Sequence, residues 1–399
     1  MLEVSAAREI VLRHAKRLKA DFTALMSSSL GQVIAADVAS DVDSPPFDKS
    51  LMDGYAVRAA DVSPTAELTV VEEIPAGKMP TKTVGPGEAV RLFTGAPIPP
   101  GADAVVMREK TDSPSADRVV IREVPTAGQF ILRQATEMKV GETVIPAGTV
   151  LTPATFGLLA SVGKTTVPAY PQPKVAVVAT GDELVEPNRR PKPGQIRNSN
   201  GPMLTAQVAL AGGLPRYIGI ATDREDVLRS YIAEGLEIAN VLILAGGVSA
   251  GDFDLVPKVL KDCGVTAHFH HVKMKPGKPL LFGTKGDKLV FGLPGNPVSS
   301  FVGFELFVKP ALRVMGGHID PPTATQKLTL SEPFAANNNR PTYHPAKRDG
   351  DGVRGLKWFG SPDLRAMLDA DAFLVLPPGE VNYAAGAVVE VLPINRTAS

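Results

Sequence analysis

Four short apolar segments, each followed by a polar or glycine-rich loop, constrain the fold of this chain more than any other feature. They are residues 174–179 (KVAVVA), 216–220 (RYIGI), 241–245 (VLILA) and 289–293 (LVFGL). Segments that are short, rich in Val and Leu and not alternating are typical of strands buried on both faces of a parallel sheet. Because helical patterns separate them, the sequence predicts right-handed βαβ units with a ligand outside the carboxyl ends of the strands.

The loops after these strands carry residues suited to binding an anion. Gly246, Gly247 and Gly251 have no side chains, so backbone N–H groups can come close to a phosphate beside the start of the next helix. Asn296 followed by Pro297 is a favourable N-cap and first-turn pair for a helix from Val298. The sequence therefore predicts one phosphate-binding site at this edge of the sheet.

Acidic and basic residues are predicted to meet at the same edge. The loops contain five carboxylates, and hard oxygen ligands near a phosphate are typical of a Mg²⁺ site: Asp182, Glu183, Asp223, Asp252 and Asp254. Residues 273–279 (KMKPGKP), interpreted as lying just before the fourth strand, contain three lysines held by two prolines. Because oxyanions are bound by such cations, phosphoryl or nucleotidyl chemistry is indicated.

The composition of the whole chain limits the partners and the location that can be expected. It has 42 basic and 42 acidic residues among 399, so a nucleic-acid partner is not expected. Cys263 is the sole cysteine, which excludes an intrachain disulfide; with no signal-peptide pattern at the N-terminus, a cytoplasmic location is predicted. No window approaches about 20 uninterrupted apolar residues, so no membrane span is expected.

The rest of the chain is divided into flanking regions. Apolar spacing predicts an N-terminal helix from Val4 to Leu18, and residues 147–162 predict a strand and then a helix with Thr152 as N-cap and Pro153 in its first turn. Short strands at 68–71, 104–107 and 119–124 predict a small β domain. We expect a linker domain of residues 1–45 and 141–172, a β-rich domain of 46–140, a central domain of 173–318 and a C-terminal β domain of 319–399.

Several of these motifs, in this order, resemble the molybdopterin molybdenumtransferase family of the MoeA type, which is related to the E domain of gephyrin. The matching stretches are 180–184 (TGDEL), 246–249 (GGVS) with Asp254, 275–279 (KPGKP), 293–297 (LPGNP) and, earlier, 45–47 (PPF) with 52–56 (MDGYA). The resemblance implies a multidomain α/β plus β fold. Its central parallel three-layer α/β/α domain would be MogA-like, flanked by a helical/β linker region, a small β-rich domain and a C-terminal β-barrel-like domain.

The resemblance implies that the chain inserts molybdate into adenylylated molybdopterin with Mg²⁺ and releases AMP. The implied catalytic residues are Asp53, Thr94, Glu183, Asp223 and Asp254, with Asp254, Asp252 and Glu183 as metal ligands. The implied substrate-binding residues are Thr180, Gly181, Asp182, Gly246, Gly247, Ser249, Lys275, Lys278, Pro294, Gly295, Asn296, Pro297, Arg340 and Ser361. It further implies that the asparagine-rich approach to a helix, residues 198–202, lines the nucleotide side of the pocket.

The resemblance also implies a homodimer whose site is shared between subunits, with hand-over of substrate from a molybdopterin adenylyltransferase. Two stretches depart from the family: Arg133 and Glu137 stand where a basic pair and an Asp are usual, and Pro345-Ala346 where a second basic residue is common. The alternatives are a molybdopterin-binding scaffold without catalysis and a nucleotide pyrophosphatase of similar central topology. A dinucleotide dehydrogenase is disfavoured because no Gly-x-Gly-x-x-Gly turn follows a strand.

Overall fold

The chain forms two compact units in the computed structural model, which describes residues 1–248, 255–319 and 325–394. The first unit comprises residues 1–36, 148–154 and 166–399, and the second comprises residues 37–147 and 155–165. The four-domain boundaries drawn from the sequence are finer than this division and stay a prediction.

The first unit begins with helix α1 (Val4–His14) and strands β1 (Asp21–Ala24) and β2 (Val33–Ile34). Ala7 and Val11 are fully buried because they lie one turn apart on one face of the helix. The helix was predicted to reach Leu18 but ends at His14, since Ala15 has extended backbone (ψ 103°). The Leu18 N–H instead donates to Met315 O at 2.9 Å.

The second unit is built on a six-stranded sheet with the order β8-β5-β7-β6-β10-β9. Its elements are β3 (Val38–Ala39), β4 (Lys49–Ser50), β5 (Gly54–Val57), β6 (Glu67–Ile74), β7 (Glu88–Leu92), β8 (Ala104–Met107), β9 (Thr111–Ser115), β10 (Arg118–Ile121), β11 (Ile131–Leu132) and β12 (Thr143–Ile145). The strands predicted in this region are therefore present. Helix α2 (Pro153–Ser161) begins at the predicted proline, in the first unit, and continues into the second.

The centre of the first unit alternates strands and helices. Its elements are β13 (Thr166–Tyr170), β14 (Lys174–Thr180), β15 (Leu184–Val185), β16 (Ile196–Arg197), α3 (Asn200–Leu210), β17 (Leu214–Ala221), α4 (Glu225–Ile238), β18 (Val241–Ala245), α5 (Leu255–Asp262), β19 (Thr266–His271), β20 (Pro279–Lys285), β21 (Lys288–Leu293), α6 (Pro297–Gly303) and α7 (Lys309–Met315). A π-helical turn, Phe304–Val308, joins α6 to α7. All four apolar segments are strands, whereas residues 147–151 form only an isolated bridge, Val150 to Val33.

The central sheet has the strand order β17-β14-β18-β21-β20-β19. Neighbours among β17, β14, β18 and β21 are parallel, while β20 is antiparallel to both β21 and β19. The lysine-containing stretch was predicted to precede β21 directly; this is wrong, because β20 lies between them. Since β20 runs in the opposite direction, its first residue, Pro279, still lies at the carboxyl edge of the parallel strands.

Alternate residues of the central strands face two helical layers, which confirms the three-layer prediction. Val175 and Val177 pack in one core with residues of α1, α3, α6 and α7. Ala176 and Val178 pack in a separate core with residues of α4 and α5. Side chains that alternate between two apolar cores explain why these strands read as continuous apolar segments.

The last part of the first unit is a closed barrel of the strands β22-β25-β24-β26-β28, which confirms the barrel-like prediction. Its elements are β22 (Gln326–Leu330), β23 (Phe334–Asn338), β24 (Thr342–Asp349), β25 (Gly352–Gly355), β26 (Ala372–Leu376), β27 (Gly379–Tyr383) and β28 (Val388–Pro393). Strands β23 and β27 form a separate antiparallel pair. None of the helices in the described ranges is long and apolar enough to cross a bilayer.

Candidate functional site

A cavity of about 490 Å³ opens at the carboxyl ends of β14, β18 and β21. The crossovers from β14 to β17 and from β17 to β18 leave in opposite directions, so the cavity lies at the topological switch point of the sheet, where α/β proteins bind ligands. It is lined by Thr180, Gly181, Glu183, Leu184, Ile196, Asn200, Asp223, Ala245, Gly246, Gly247, Val248, Leu255, Val256, Pro279, Pro294, Gly295 and Asn296. Nine of the residues predicted for the site are among these.

Two glycines form part of the cavity wall because no larger residue fits there. Gly246 has φ +108° and Gly247 has φ +61°, both in the region that side chains disfavour. A Cβ on Gly246 would lie 2.4 Å from Thr180 O, and one on Gly247 would lie 2.8 Å from Val256 Cγ2. The Gly246 N–H donates to Leu293 O at 3.0 Å, so this glycine closes the loop against the neighbouring strand.

Two buried polar atoms in the residues that line the cavity have no hydrogen-bond partner among the described residues. Thr180 is 3% exposed and Asn200 is 7% exposed, and among the described residues neither Thr180 Oγ1 nor Asn200 Oδ1 has a hydrogen-bond partner. An unpaired buried polar atom costs about 1–3 kcal/mol, so such atoms are usually paired with a ligand or water. Asn200 was not among the individually predicted site residues. The asparagine-rich stretch 198–202, which leads into α3, was the sequence signal that indicated it.

Acidic side chains lie at the mouth of the cavity. Glu183 and Asp223 are exposed and line it, and the Asp223 N–H donates to Asp182 Oδ1 at 3.0 Å. Asp182 therefore orients the neighbouring loop. Ser249, Asp252 and Asp254 lie outside the described residues. Within those that are described, no three His, Cys, Asp or Glu side chains converge on a metal site.

The loop 294–297 is held from both sides. The Asn200 Nδ2 donates to Gly295 O at 2.7 Å, and Ser300 Oγ donates to Pro294 O. Asn296 is at the N-cap position of α6 as predicted, but its side chain makes no capping bond. It donates instead to Ser361 Oγ at 3.0 Å, which brings the predicted Ser361 to the edge of the cavity.

The predicted basic residues lie close to this loop. The Lys275 N–H donates to Pro341 O at 2.8 Å, and the Lys275 carbonyl accepts from the Tyr343 N–H at 2.8 Å, so Lys275 and Arg340 belong to neighbouring stretches. Lys278 is exposed and one residue from Pro279, which lines the cavity. In the described part of the chain Arg340 Nη1 is buried without a hydrogen-bond partner. Neither lysine lines the cavity itself.

The remaining predicted residues, Asp53 and Thr94, meet in the second unit. Asp53 Oδ1 accepts hydrogen bonds from both the N–H and the Oγ1 of Thr94, each at 2.7 Å. The Thr94 N–H, then its hydroxyl, and weaker attraction from Arg108 and Arg91 lower the pKa of Asp53. Both residues are exposed, so an ionised carboxylate is presented at the surface of this unit.

The stretch that departs from the family is engaged within the second unit. Arg133 Nη1 donates to Asp48 Oδ2 at 2.6 Å, and the Gln134 N–H and Arg133 together lower the pKa of Asp48. Glu137 Oε2 accepts from Ser44 Oγ at 2.6 Å. Arg133 and Glu137 therefore fix the segment around residues 44–48 in this structure.

The fold and the cavity define an α/β protein with a candidate ligand site at the switch point of its sheet. Three family models match the chain: the MoeA N-terminal region (domain I and II) over residues 2–163, the probable molybdopterin binding domain over 176–314 and the MoeA C-terminal region (domain IV) over 327–394. The molybdopterin molybdenumtransferase of Staphylococcus aureus (strain Mu50) is 37% identical over 382 residues, covering 93% of this chain and 90% of that protein. The one of Bacillus subtilis (strain 168) is 34% identical, covering 99% and 94%.

A solved structure supports the same family. A molybdopterin biosynthesis MoeA protein from Pyrococcus horikoshii has a TM-score of 0.84 and 30% identity, with 100% of both chains covered. The chain belongs to the molybdopterin molybdenumtransferase family. The predicted family, the predicted fold class and the predicted role as a transferase in molybdenum cofactor biosynthesis are confirmed.

Proposed function

We propose that the chain inserts molybdate into the dithiolene of adenylylated molybdopterin, while hydrolysis of the adenylate releases AMP. The observation that carries this proposal is the cavity at the switch point of the sheet. Its wall holds two open polar atoms, Thr180 Oγ1 and Asn200 Oδ1, and its mouth holds exposed carboxylates. A nucleotide offers donors on its base and ribose to the two unpaired oxygens, and a divalent cation would link its phosphates to the carboxylates.

The binding of the adenylate follows from the shape of the wall. Gly246 and Gly247 pack directly against Thr180 and Val256, and the loop 294–297 is fixed by hydrogen bonds from Asn200 and Ser300 without a ligand. A wall that is ordered in advance loses little conformational freedom on binding. Thr180 and Asn200 would each gain a hydrogen bond that they lack among the described residues.

Magnesium is proposed on the chemistry of the donors. Glu183 and Asp223 present exposed carboxylate oxygens at the cavity, the type of ligand that Mg²⁺ prefers. Glu183, with Asp252 and Asp254 from the adjoining segment, would hold the ion. A bound Mg²⁺ supplies neutralisation of negative charge on the phosphates.

Molybdate, a dianion, is proposed to bind beside the adenylate at Lys275, Lys278, Arg340 and Ser361. Ser361 Oγ accepts a hydrogen bond from Asn296 Nδ2, and the half-buried Arg340 has a guanidinium nitrogen without a partner in the described residues. Both lysines lie within four residues of Pro279 in the cavity wall. A cluster of cations with free N–H groups suits an oxyanion.

We further propose a homodimer in which Asp53 and Thr94 of one subunit complete the site of the other, with the substrate handed over by a molybdopterin adenylyltransferase in the cytoplasm. The exposed, ionised Asp53 supports this, because its hydrogen bonds to Thr94 use only one of its carboxylate oxygens. Light scattering of the purified chain would test the dimer.

The decisive experiment is to measure AMP release from adenylylated molybdopterin by the purified chain, with Mg²⁺, with and without molybdate. We expect AMP release that depends on molybdate and is accompanied by molybdenum cofactor. AMP release that ignores molybdate would favour the pyrophosphatase. Tight binding with no AMP release would favour the scaffold.

A further inference from the structure

A second cavity of about 190 Å³ lies in the first unit, formed by α3, the α6–α7 segment and the C-terminal barrel region. Its apolar wall includes the almost fully buried Met367, Ala370 and Ile394, and Phe301 and Leu210 are more exposed. None of its lining residues lines the switch-point cavity. It is therefore a separate space with separate chemistry.

One wall of this cavity is polar and built from buried side chains. Gln207, Glu305 and Lys309 are 5%, 7% and 7% exposed. Gln207 Nε2 donates to Glu305 Oε1 at 3.1 Å, and Lys309 Nζ donates to Glu305 Oε2 at 2.8 Å. This leaves Gln207 Oε1 buried and without a hydrogen-bond partner within the described residues. The wall carries one positive and one negative charge, and behind its surface Gln207 Oε1 is a buried acceptor without a partner among the described residues.

The backbone that places this wall has a local cause. Pro310 has no N–H and its ring would clash with the carbonyl of Leu306 in a regular α-helix. The chain forms the wider π-helical turn Phe304–Val308 instead, just before Lys309. Such turns are frequent at functional sites. A buried ion pair is often no more stabilising than apolar residues of the same size, so stability alone does not account for Glu305 and Lys309.

The size and charge of the cavity define a ligand class. A dry apolar cavity of about 150 Å³ accommodates benzene, so this slightly larger one fits one or two fused aromatic rings. Because the charges of Glu305 and Lys309 cancel, a neutral ligand is favoured. We propose that this cavity binds a neutral one- or two-ring aromatic heterocycle, whose ring N–H donates to Gln207 Oε1 and whose rings pack against Phe301, Met367 and Ile394.

Calorimetric titration with indole tests the proposal on the full chain, in the absence of nucleotide and molybdate. Indole has two fused rings, no charge and one N–H. We expect saturable 1:1 binding, with a dissociation constant between about 10 μM and 1 mM for a ligand of this size. Benzofuran is the matched ligand, since it replaces the N–H by an oxygen that would face Gln207 Oε1. It should bind at least about tenfold more weakly.

The variant Gln207→Met keeps the length of the side chain and removes the acceptor. We expect the preference for indole over benzofuran to fall by at least about tenfold, because neither ligand then meets an open oxygen. Gln326→Met, on an exposed face of β22, is the matched control and should retain the preference. Thermal unfolding of each variant checks folding.

No saturable binding of indole to the unaltered chain would overturn the proposal, as would equal binding of benzofuran. These two measurements need no variant, so they stand even if Gln207→Met fails to fold. A preference that survives in a folded Gln207→Met would also overturn it. Excess AMP should leave indole binding unchanged. Competition by AMP would assign indole to the switch-point cavity, which would reject this second site but would not contradict the proposed enzyme activity.

Discussion

Two regions of this protein use the same kinds of polar residue in opposite ways. In the second unit, Asp53 Oδ1 is already bonded to both donors of Thr94, at 2.7 Å each. In the switch-point cavity of the first unit, Thr180 Oγ1 and Asn200 Oδ1 are buried and open within the described residues. A pair that satisfies itself holds a fixed shape without a ligand, whereas an open buried atom favours a state in which a ligand is bound.

This difference leads to different expectations for mutations. Changes in the cavity should alter binding and catalysis much more than folding, since the unpaired atoms make no hydrogen bond that the ligand-free fold could lose. Changes at Asp53 should alter the stability of the fold in a way that depends on pH. The following variants test that contrast.

Asp254→Asn should have the largest effect. It removes a proposed ligand of Mg²⁺ and should lower molybdenum insertion by about 10²–10³-fold, as the loss of a group that stabilises developing charge does. The melting temperature should change little. Asp262→Asn, which removes a partner of Arg229 on the surface, is the control and should keep its activity. Full activity of Asp254→Asn would remove the metal role of this residue.

Gly246→Ala should come next. Its Cβ would lie 2.4 Å from Thr180 O, so the backbone of the cavity wall must move. A displacement of about 1 Å in a catalytic site can cost about 10²-fold, and we expect a loss of that order in kcat/KM for AMP release. Gly212→Ala is the matched control, because Gly212 has φ +83° but no atom within 4 Å of the added Cβ. It should lose some stability and no activity; equal activity losses would contradict the steric argument.

Short-range features of both regions could be predicted from the sequence, because a few adjacent residues encode them. The strand β18 and the glycines after it, for example, are read from one apolar run and the turn that ends it. The parallel sheet followed from repeating that pattern, whereas the three-layer central domain and the C-terminal barrel were implied by the resemblance to the family. Asp53 and Thr94 were placed in the site by resemblance, and the structure adds that they bond to each other.

Long-range features could not be predicted in this way. Asn296 was expected to cap its own helix, but it bonds to Ser361, which is 65 positions away. Gln207 and Glu305 meet across 98 positions. Strand β20 was missed because a short apolar run gives no sign of its direction, which is set by the hairpin to β21. Contacts between distant segments depend on how the elements pack, and no local pattern records them.

Lys278→Ala should have a moderate and selective effect. Lys278 is exposed beside the cavity wall, so removing its charge should raise the molybdate concentration needed for half-maximal insertion by about tenfold, the usual value of one charge-assisted hydrogen bond. Adenylate binding, measured by calorimetry, should change by less. Lys285→Ala, at the far end of β20, is the control. An equal loss of affinity for both ligands would contradict the assignment of Lys278 to the oxyanion.

Asp53→Asn should have the smallest effect on the stability of the fold, and that effect should be present near neutrality and be lost in acid. The hydrogen bonds from Thr94 lower the pKa of Asp53 below its ordinary value of 3.8, so the folded chain favours the ionised form more than the unfolded chain does. The resulting stabilisation is fully present above pH 4 and is lost as the pH falls through the lower pKa of the folded state. The difference in unfolding free energy between the unaltered chain and Asp53→Asn should therefore be constant near neutrality and shrink below pH 4.

Urea unfolding at a series of pH values measures this difference. Thr94→Ala is the companion variant: it removes the hydroxyl donor and keeps the N–H, so its dependence on pH should lie between those of the unaltered chain and Asp53→Asn. A difference that stays constant below pH 4 would mean that the hydrogen bonds from Thr94 do not favour the ionised form of Asp53. The contrast between the two regions would then be lost, because the Asp53–Thr94 pair would not be stabilised by its own hydrogen bonds.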